Sequence, residues 1–224
     1  PKYMQDVLMN EPNVTILETM VKELIVKDNV CLGVIDENGN EIYSKTTILT
    51  TGTYMESTIL VGHDITSSGP FGQRASLGLS PNLEKLGFKM FRLKTGTPAR
   101  VKASSIDFSK GELQEGTDRP LSFSYETTKF IPIEKQLPCY LIHTTDETKK
   151  IIQDNLDKSA MYSGNVKGRG PRYCPSIEDK VVRFSDKERH QLFLEPESRY
   201  YDDMYLQGFS TSMPPEVQEK MVHS

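Results

Sequence analysis

The first fifty residues predict one helix followed by a series of strands. Residues 3–9 repeat apolar positions at helical spacing, and the following Glu-Pro-Asn ends the helix. Runs rich in β-branched residues predict strands over 14–17, 21–26, 30–35 and 41–45. Before the last of these, the Asn-Gly of Asp36-Glu-Asn-Gly-Asn40 supplies the positive φ that a hairpin needs. The segment TTILTT, residues 46–51, predicts one more buried strand.

That last strand is predicted to end in a turn of small residues at Gly52-Thr53. Glycine has no Cβ, so such a turn lets the backbone approach a cofactor closely. A meander followed by this strand is typical of flavoproteins with two dinucleotide-binding domains, where the chain returns to the flavin sheet. An ordinary strand and turn is the alternative.

The second part of the chain alternates polar loops with short elements. Residues 62–80 form a loop rich in Gly and Ser that contains Arg74, and it suits either a phosphate contact or plain solvent. The elements predicted after it are a helix over 79–86 capped by Ser80, strands over 91–94 and 139–143, and a helix over 146–156 capped by Thr144 or Thr145.

The strand predicted at residue 91 carries an unusual number of cations. It leads into a Thr-Gly-Thr-Pro turn and brings Arg92, Lys94 and Arg100 close together. Cations, hydroxyls and exposed amides together favour an anion site. A basic surface strand is the alternative.

Composition narrows the class of protein. The 224 residues carry a net charge of −4, so no global field favours nucleic acid, and any polyanion site must be a local patch. Three scattered cysteines exclude a disulfide scaffold and fit a reducing compartment, so we expect a cytoplasmic protein. The sequence begins at a proline and stops inside a helical pattern, and we expect an internal fragment of a longer protein.

One cysteine lies among charges rather than apolar residues. Cys174 follows the Gly-Arg-Gly-Pro-Arg loop and precedes a predicted helix that begins at Ser176 with a loose capping box to Asp179. A helix start and the nearby Arg172 would favour the thiolate, which makes Cys174 a candidate nucleophile or proton carrier. A partly buried structural cysteine is the alternative.

Several long segments are recognisable together. They are RLKTGTPAR, SIDFS, PCYLIHTTDET, NLDKSAMYSG, KGRGPRYCPSIEDKVVRFSDKERHQLFLEPES and FSTSMPPEVQ. The set resembles the family of tRNA uridine 5-carboxymethylaminomethyl modification enzymes, called MnmG or GidA. VTILETMVKELIV and TILTTGTYMES are similar to the flavin-domain portion, so the resemblance covers essentially the whole chain.

The resemblance implies an α/β fold, as part of an FAD/NAD(P)-binding, Rossmann-like flavoprotein with two dinucleotide-binding domains and a mixed α+β insertion domain. Residues 1–62 would be a portion of the FAD-binding domain. Residues 63–200 would be the insertion domain that binds NADH, and residues 201–224 would begin the return to the FAD-binding domain.

The resemblance also implies roles for individual residues. Val21 and Ser76 would lie near FAD, although residues 66–76 read TSSGPFGQRAS where the family usually has a loop like GGRAGE. Cys174 would be the cysteine implicated in activity. The NAD-binding stretch would comprise Gly170, Pro171, Arg172, Tyr173, Cys174, Pro175, Ser176, Ile177, Glu178, Asp179, Lys180, Val181, Val182, Arg183 and Phe184.

The implied reaction adds an aminomethyl-type group to carbon 5 of the wobble uridine of tRNA. FAD and NADH would serve as cofactors, a tetrahydrofolate-derived methylene as co-substrate and a GTPase as partner, in a homodimeric enzyme. The family's N-terminal GxGxxG, its second cysteine and its C-terminal helical region are absent from this sequence. We therefore expect this stretch alone to be inactive and colourless. The alternatives are a folate-dependent tRNA uridine methyltransferase and a module that only binds NADH or tRNA.

Overall fold

The computed structural model describes residues 2–164, 166, 168 and 175–224. The chain divides into two compact units. Unit 1 comprises the residues up to Ile59 together with Thr66–Met90, and unit 2 comprises Leu60–Ile65 and Phe91–Ser224. None of the described helices has the length and apolar character that crossing a bilayer requires.

Unit 1 is built on a three-stranded antiparallel meander. Its elements are α1 (Lys2–Asn10), β1 (Val21–Lys27), β2 (Val30–Asp36), β3 (Glu41–Tyr43) and α2 (Leu79–Lys85). The sheet order is β1-β2-β3, and Asp36–Asn40 forms the turn that leads into β3. The first helix, these three strands and this turn confirm the predicted elements.

Two predicted strands of unit 1 are wrong. Residues 14–17 and 46–51 have no strand structure, and Ile48 is 85% exposed. Both runs are rich in β-branched residues, but a strand needs a neighbour to pair its backbone N–H and C=O groups. Neither run has a strand partner among the described residues.

The predicted loop over residues 62–80 also needs correction. It contains part of a short hairpin, in which β4 (Thr58–Val61) pairs with β5 (Asp64–Ser67). The helix that follows is capped at Gly78, with φ 105°, and the predicted cap Ser80 lies inside its first turn. Asn82 of α2 accepts a hydrogen bond from the Leu24 amide at 3.0 Å, which holds the helix against β1.

Unit 2 is a five-stranded antiparallel sheet with three helices. The strands are β6 (Arg100–Lys102), β7 (Glu112–Gln114), β8 (Cys139–His143), β9 (Gln191–Pro196) and β10 (Asp203–Gln207). The helices are α3 (Asp146–Asp154), α4 (Ile177–Arg183) and α5 (Pro215–His223). The strand order β6-β10-β9-β8-β7 gives the mixed α+β architecture predicted for an insertion domain.

The core of unit 2 lies between the sheet and the helices. Alternate residues of the central strands β9 and β10 are buried, as expected for a sheet with one covered face. The buried cluster comprises Ile152, Ile177, Val181, Leu192, Leu194, Met204, Leu206, Phe209, Met213, Val217 and Met221. Val182, on the outer side of α4, is 42% exposed, and Phe184, directly after the helix, is 50% exposed.

The two units divide the chain differently from the predicted domains. Residues 66–90 belong to unit 1, since α2 packs on β1. Residues 201–224 belong to unit 2, because β10 pairs with both β9 and β6. The functional assignment of the ranges 1–62, 63–200 and 201–224 stays a prediction.

Candidate functional site

The start of α4 is fixed by the predicted capping box. The hydroxyl of Ser176 accepts a hydrogen bond from the Asp179 amide at 3.1 Å, and the Ser176 amide donates to Asp179 Oδ2 at 3.4 Å. These two bonds satisfy amides that the first turn of a helix leaves without partners. Aspartate at the third helical position thus completes the capping box, where glutamate is the usual residue.

A buried carboxylate lies directly inside this first turn. Glu178 has no solvent exposure, and its Oε1 accepts three hydrogen bonds. The donors are the Thr211 hydroxyl at 2.8 Å, the Ser212 amide at 3.0 Å and the Ser159 hydroxyl at 3.1 Å. Its Oε2 has no hydrogen-bond partner among the described residues. We call Glu178, Ser159, Thr211 and Ser212 the Glu178 cluster.

Ser212 joins further segments to this cluster. Its carbonyl accepts hydrogen bonds from the amides of Gly62 at 2.8 Å and Ala160 at 3.3 Å. Its hydroxyl lies 2.9 Å from that of Ser159 and accepts from the Met161 amide at 3.2 Å. Four segments that are far apart in the sequence therefore meet at one serine.

Asp179 is the second nearly buried carboxylate of α4, and cations surround it. Lys94 and Arg183 each place a nitrogen 3.6 Å from its carboxylate. Tyr162 donates its hydroxyl to Oδ1 at 3.3 Å. Burial, followed by the charge of Asp179 and this hydrogen bond, raises the pKa of Tyr162 to about 12. Tyr162 is therefore a neutral donor at physiological pH and not a general base.

The predicted basic segment lies beside the same loop. Thr97 forms an isolated antiparallel bridge with Thr211, and a Cβ added to Gly96 would lie 3.1 Å from the Ser210 Cβ. The two small-residue turns, Thr-Gly-Thr and Ser-Thr-Ser, therefore pack closely. Residues 91–94 do not form the regular strand that was predicted, because within the described part of the chain Leu93 alone among them makes a β-bridge.

Arg100 has partners that explain its place in the fold. Its Nε lies 2.8 Å from Glu197 Oε1, its Nη1 donates to the Thr97 hydroxyl at 2.5 Å, and its guanidinium lies over the Tyr205 ring at 4.7 Å. These contacts hold the turn that follows Gly96. In the structure described, Arg100 therefore stabilises this turn.

Gly168, the first residue of the Gly-Arg-Gly-Pro-Arg sequence and the one of the five that the structure describes, lies beside the basic segment. A Cβ on Gly168 would lie 3.2 Å from the Arg92 carbonyl oxygen and 3.3 Å from the Arg92 Cβ. Any larger residue would crowd the backbone there. This close approach places Gly168 directly beside the basic segment that is the candidate anion site.

The predicted NAD-binding stretch divides into three parts. Gly170, Pro171, Arg172, Tyr173 and Cys174 lie outside the described residues, so the environment of the candidate thiol does too. Ile177 and Val181 belong to the hydrophobic core. The remaining members present polar or exposed groups, and among these Lys180 donates from Nζ to the Gly208 carbonyl at 2.8 Å.

The two residues predicted near FAD lie on adjacent segments of unit 1. Val21 begins β1 and pairs with Asp36, whereas Ser76 exchanges backbone hydrogen bonds with Tyr54 and Glu56 at 2.8 Å. A Cβ on Gly78, two residues after Ser76, would lie 3.5 Å from the side chain of Lys22. The two segments therefore lie within ordinary van der Waals reach of each other at Gly78.

The remaining candidate groups of the described chain have ordinary explanations. Arg74, considered for a phosphate contact, pairs with Glu37 at 2.6 Å on the surface. Cys31 and Cys139 are both free and half-buried, and burial raises the pKa of the Cys139 thiol. No group of His, Cys, Asp and Glu within the described ranges could hold a metal ion.

Comparison with known proteins decides the family. The family model for glucose inhibited division protein A, GIDA, matches residues 1–224.

The chain belongs to the GidA family.

Relatives within this family carry a functional name. The chain is 55% identical to the tRNA uridine 5-carboxymethylaminomethyl modification enzyme MnmG of Bacillus licheniformis and 53% identical to that of Bacillus subtilis. Each match covers 98% of this chain but 35% of the relative. The chain therefore spans about a third of the length of these relatives.

A solved structure agrees with the fold. GidA of Aquifex aeolicus, in its form I crystal, superposes with a TM-score of 0.89 at 44% identity. This superposition covers 98% of this chain and 37% of the Aquifex chain. The architecture of this chain is thus the one that the GidA family uses for the corresponding third of the protein.

Sequence reasoning missed the residues that complete the site. Ser159, Thr211 and Ser212 lie in segments quoted only for family likeness, NLDKSAMYSG and FSTSMPPEVQ. Their hydroxyl-rich composition was the available signal. Nothing in the spacing indicated that they share one carboxylate, because 19 to 34 residues separate them from Glu178.

Proposed function

We propose that this chain is part of a flavoenzyme that modifies carbon 5 of the wobble uridine of tRNA, with FAD and NADH as cofactors. The observation that carries the proposal is the match of nearly the whole chain to relatives named tRNA uridine 5-carboxymethylaminomethyl modification enzyme. The segments that unit 2 gathers around α4 are among those that carry the likeness.

Unit 1 contributes to FAD binding under this proposal. Val21 and Ser76 lie on segments that come within van der Waals reach of each other at Gly78. FAD would supply the redox chemistry, and the protein would bind and orient it. Arg74 is held by Glu37, so its guanidinium reaches a phosphate only if that ion pair opens.

Unit 2 contributes to NADH binding. Gly168 packs closely against the Arg92 backbone, and Lys94 places a positive charge on the same basic segment. Residues 175–184 form the wall that carries the capping box and the two inward carboxylates. Residues 170–173, which the resemblance assigns to the NAD-binding stretch, lie outside the described residues.

Cys174 acts in the reaction as a nucleophile or as a proton carrier. Carbon 5 of uracil is a weak nucleophile, and addition of a thiol to carbon 6 would activate it. Carriage of a proton to or from the ring is the other role open to a thiol placed at this point. Unit 2 fixes the start of α4 only two residues further along the chain.

The complete reaction needs partners beyond this chain. The proposal includes tRNA as substrate, a tetrahydrofolate-derived methylene as co-substrate, a GTPase partner, a homodimeric enzyme and a cytoplasmic location. In the intact protein that carries this chain, flavin absorbance should bleach when NADH is added without oxygen. Mass spectrometry of wobble nucleosides should show the carboxymethylaminomethyl-type product, and a simple methyl group on carbon 5 would contradict the proposal.

The role of Cys174 has its own test. Cys174→Ser should sharply reduce wobble modification while the protein keeps its fold. Cys139→Ser is the matched control, since Cys139 is a half-buried thiol of β8. Wild-type levels of modification in the Cys174→Ser protein would remove Cys174 from the mechanism.

A further inference from the structure

We propose that Glu178 is a positioning residue for NADH, an inference that rests on the proposed function. Its carboxylate would not touch the dinucleotide. It would hold the Ser-Thr-Ser turn, residues 210–212, and Ser159 against α4 so that the walls of the site keep their places. The argument comes from where this side chain lies and from the three donors that its Oε1 accepts from.

Burial and geometry exclude a direct ligand contact for this carboxylate in the structure described. Glu178 has no exposed surface, and its Oε1 is fully occupied by donors from the protein. A buried charge is costly unless it is paired or hydrogen-bonded, so a side chain of this kind needs a reason to be there. The only bonds that it makes within the described chain tie together three separate segments.

The segments tied by Glu178 are the ones that carry the candidate binding groups. Thr211 forms the bridge to Thr97, and Ser210 packs against Gly96. The same basic segment supplies Lys94, which pairs with Asp179, the residue next to Glu178. Removing the acceptor at Glu178 would release the 210–212 turn and, through it, the 94–97 segment.

A positioning role of this kind makes a specific kinetic prediction. Loosened walls weaken binding of the dinucleotide, whereas hydride transfer from correctly bound NADH remains as fast as before. The KM for NADH in flavin reduction should therefore rise while kcat changes little. A residue that serves only stability would lower the melting temperature and leave the KM of the folded protein unchanged.

The test uses the intact protein with FAD bound and measures flavin reduction by NADH. We expect Glu178→Ala to raise the KM for NADH about tenfold, the equivalent of about one charge-assisted hydrogen bond. Glu178→Gln should restore a KM close to that of the wild type, because the amide oxygen can accept the same three hydrogen bonds. Glu112→Gln, an exposed carboxylate of the edge strand β7, is the control and should change nothing.

A second pair of variants serves if Glu178→Ala does not fold. Thr211→Val removes the donor 2.8 Å from Oε1, and Thr211→Ser keeps it. The valine variant should raise the KM for NADH about threefold, the lower end of what a single hydrogen bond contributes, and the serine variant should not.

The outcomes separate the inference from the function. A wild-type protein that does not oxidise NADH contradicts the proposed function. An active wild type whose Glu178→Ala and Thr211→Val variants keep the wild-type KM overturns the positioning role. A raised KM in Glu178→Gln overturns it too, since this result would assign the effect to the charge and not to the acceptor.

Discussion

Two buried carboxylates in this chain, Asp36 and Glu178, accept their hydrogen bonds from different kinds of donors. In unit 1, Asp36 accepts from the Asn38 and Asn40 amides at 2.9 Å, from the Asn40 side chain at 3.0 Å and from the Thr19 hydroxyl at 3.0 Å. In unit 2, Glu178 accepts from Ser159, Thr211 and Ser212. Asp36 thus serves mainly its own turn, whereas Glu178 connects segments that are distant in the sequence.

The difference teaches which kind of carboxylate shapes a site. A local acceptor stabilises one turn, and the rest of the fold does not depend on that acceptor. A non-local acceptor makes several segments depend on one another, so its loss should spread through unit 2. The predictions that follow test this contrast, beginning with the largest effect.

Removal of the Glu178 side chain should be the most damaging change. Glu178→Ala leaves three donors without their acceptor in a dry interior and should lower the free energy of unfolding by about 3 kcal/mol. Urea denaturation followed by circular dichroism measures this loss. Glu112→Ala, on the exposed edge strand, is the control, with an expected change within about 0.5 kcal/mol. Equal losses in both variants would contradict a special role for Glu178.

The corresponding change in unit 1 should have a smaller and more local effect. Asp36→Asn weakens an acceptor whose donors lie mostly within one turn, and those amides can turn to water. Hydrogen exchange should accelerate at Asn38 and Asn40 while the amides of β1 distant from this turn keep their protection. Loss of protection throughout β1 and β2 would show that Asp36 is as far-reaching as Glu178.

The contribution of Asp36 to stability should depend on pH in the acid range. The hydrogen bond from the Asn40 side chain, aided by the other donors, lowers the pKa of Asp36 from 3.8 to about 2. A folded pKa below the unfolded value adds stability above about pH 4, and this stability disappears as the pH falls toward 2. The free energies of unfolding of the wild type and of Asp36→Asn, measured at steps of ~1 pH unit, should therefore differ at pH 5 and converge near pH 2. A constant difference across this range would contradict the assignment.

Replacement of the two N-cap residues should give the smallest loss of stability. It also compares two capping boxes that differ in sequence. Thr145 caps α3 and Ser176 caps α4, each with a reciprocal capping box. Alanine at either position should cost about 1 kcal/mol. Serine at position 145 and threonine at position 176 should preserve most of the stability in thermal unfolding. A much larger loss at Ser176 would indicate that this cap also supports the Glu178 cluster.

The predictable parts of the fold are those determined by neighbours in sequence. The Asp36–Asn40 turn, the Ser176 cap with Asp179 and the β8 strand of Cys139–His143 all follow from local residue types. The strand predicted over 46–51 fails because pairing depends on a partner, which a local run cannot supply. The Glu178 cluster was not predictable for the same reason, since its three donors come from two segments that are distant in the sequence, at Ser159 and at Thr211-Ser212.

Ligand-dependent hydrogen exchange of the intact, FAD-bound protein tests the central claim most directly. The account predicts that NADH increases protection in peptides that cover residues 92–97, 176–184 and 208–213 together, because the proposed NADH site comprises all three segments. Peptides from the Asp36 turn should not change with them. Normal flavin reduction by NADH, with unchanged exchange in all three peptides, would contradict the account.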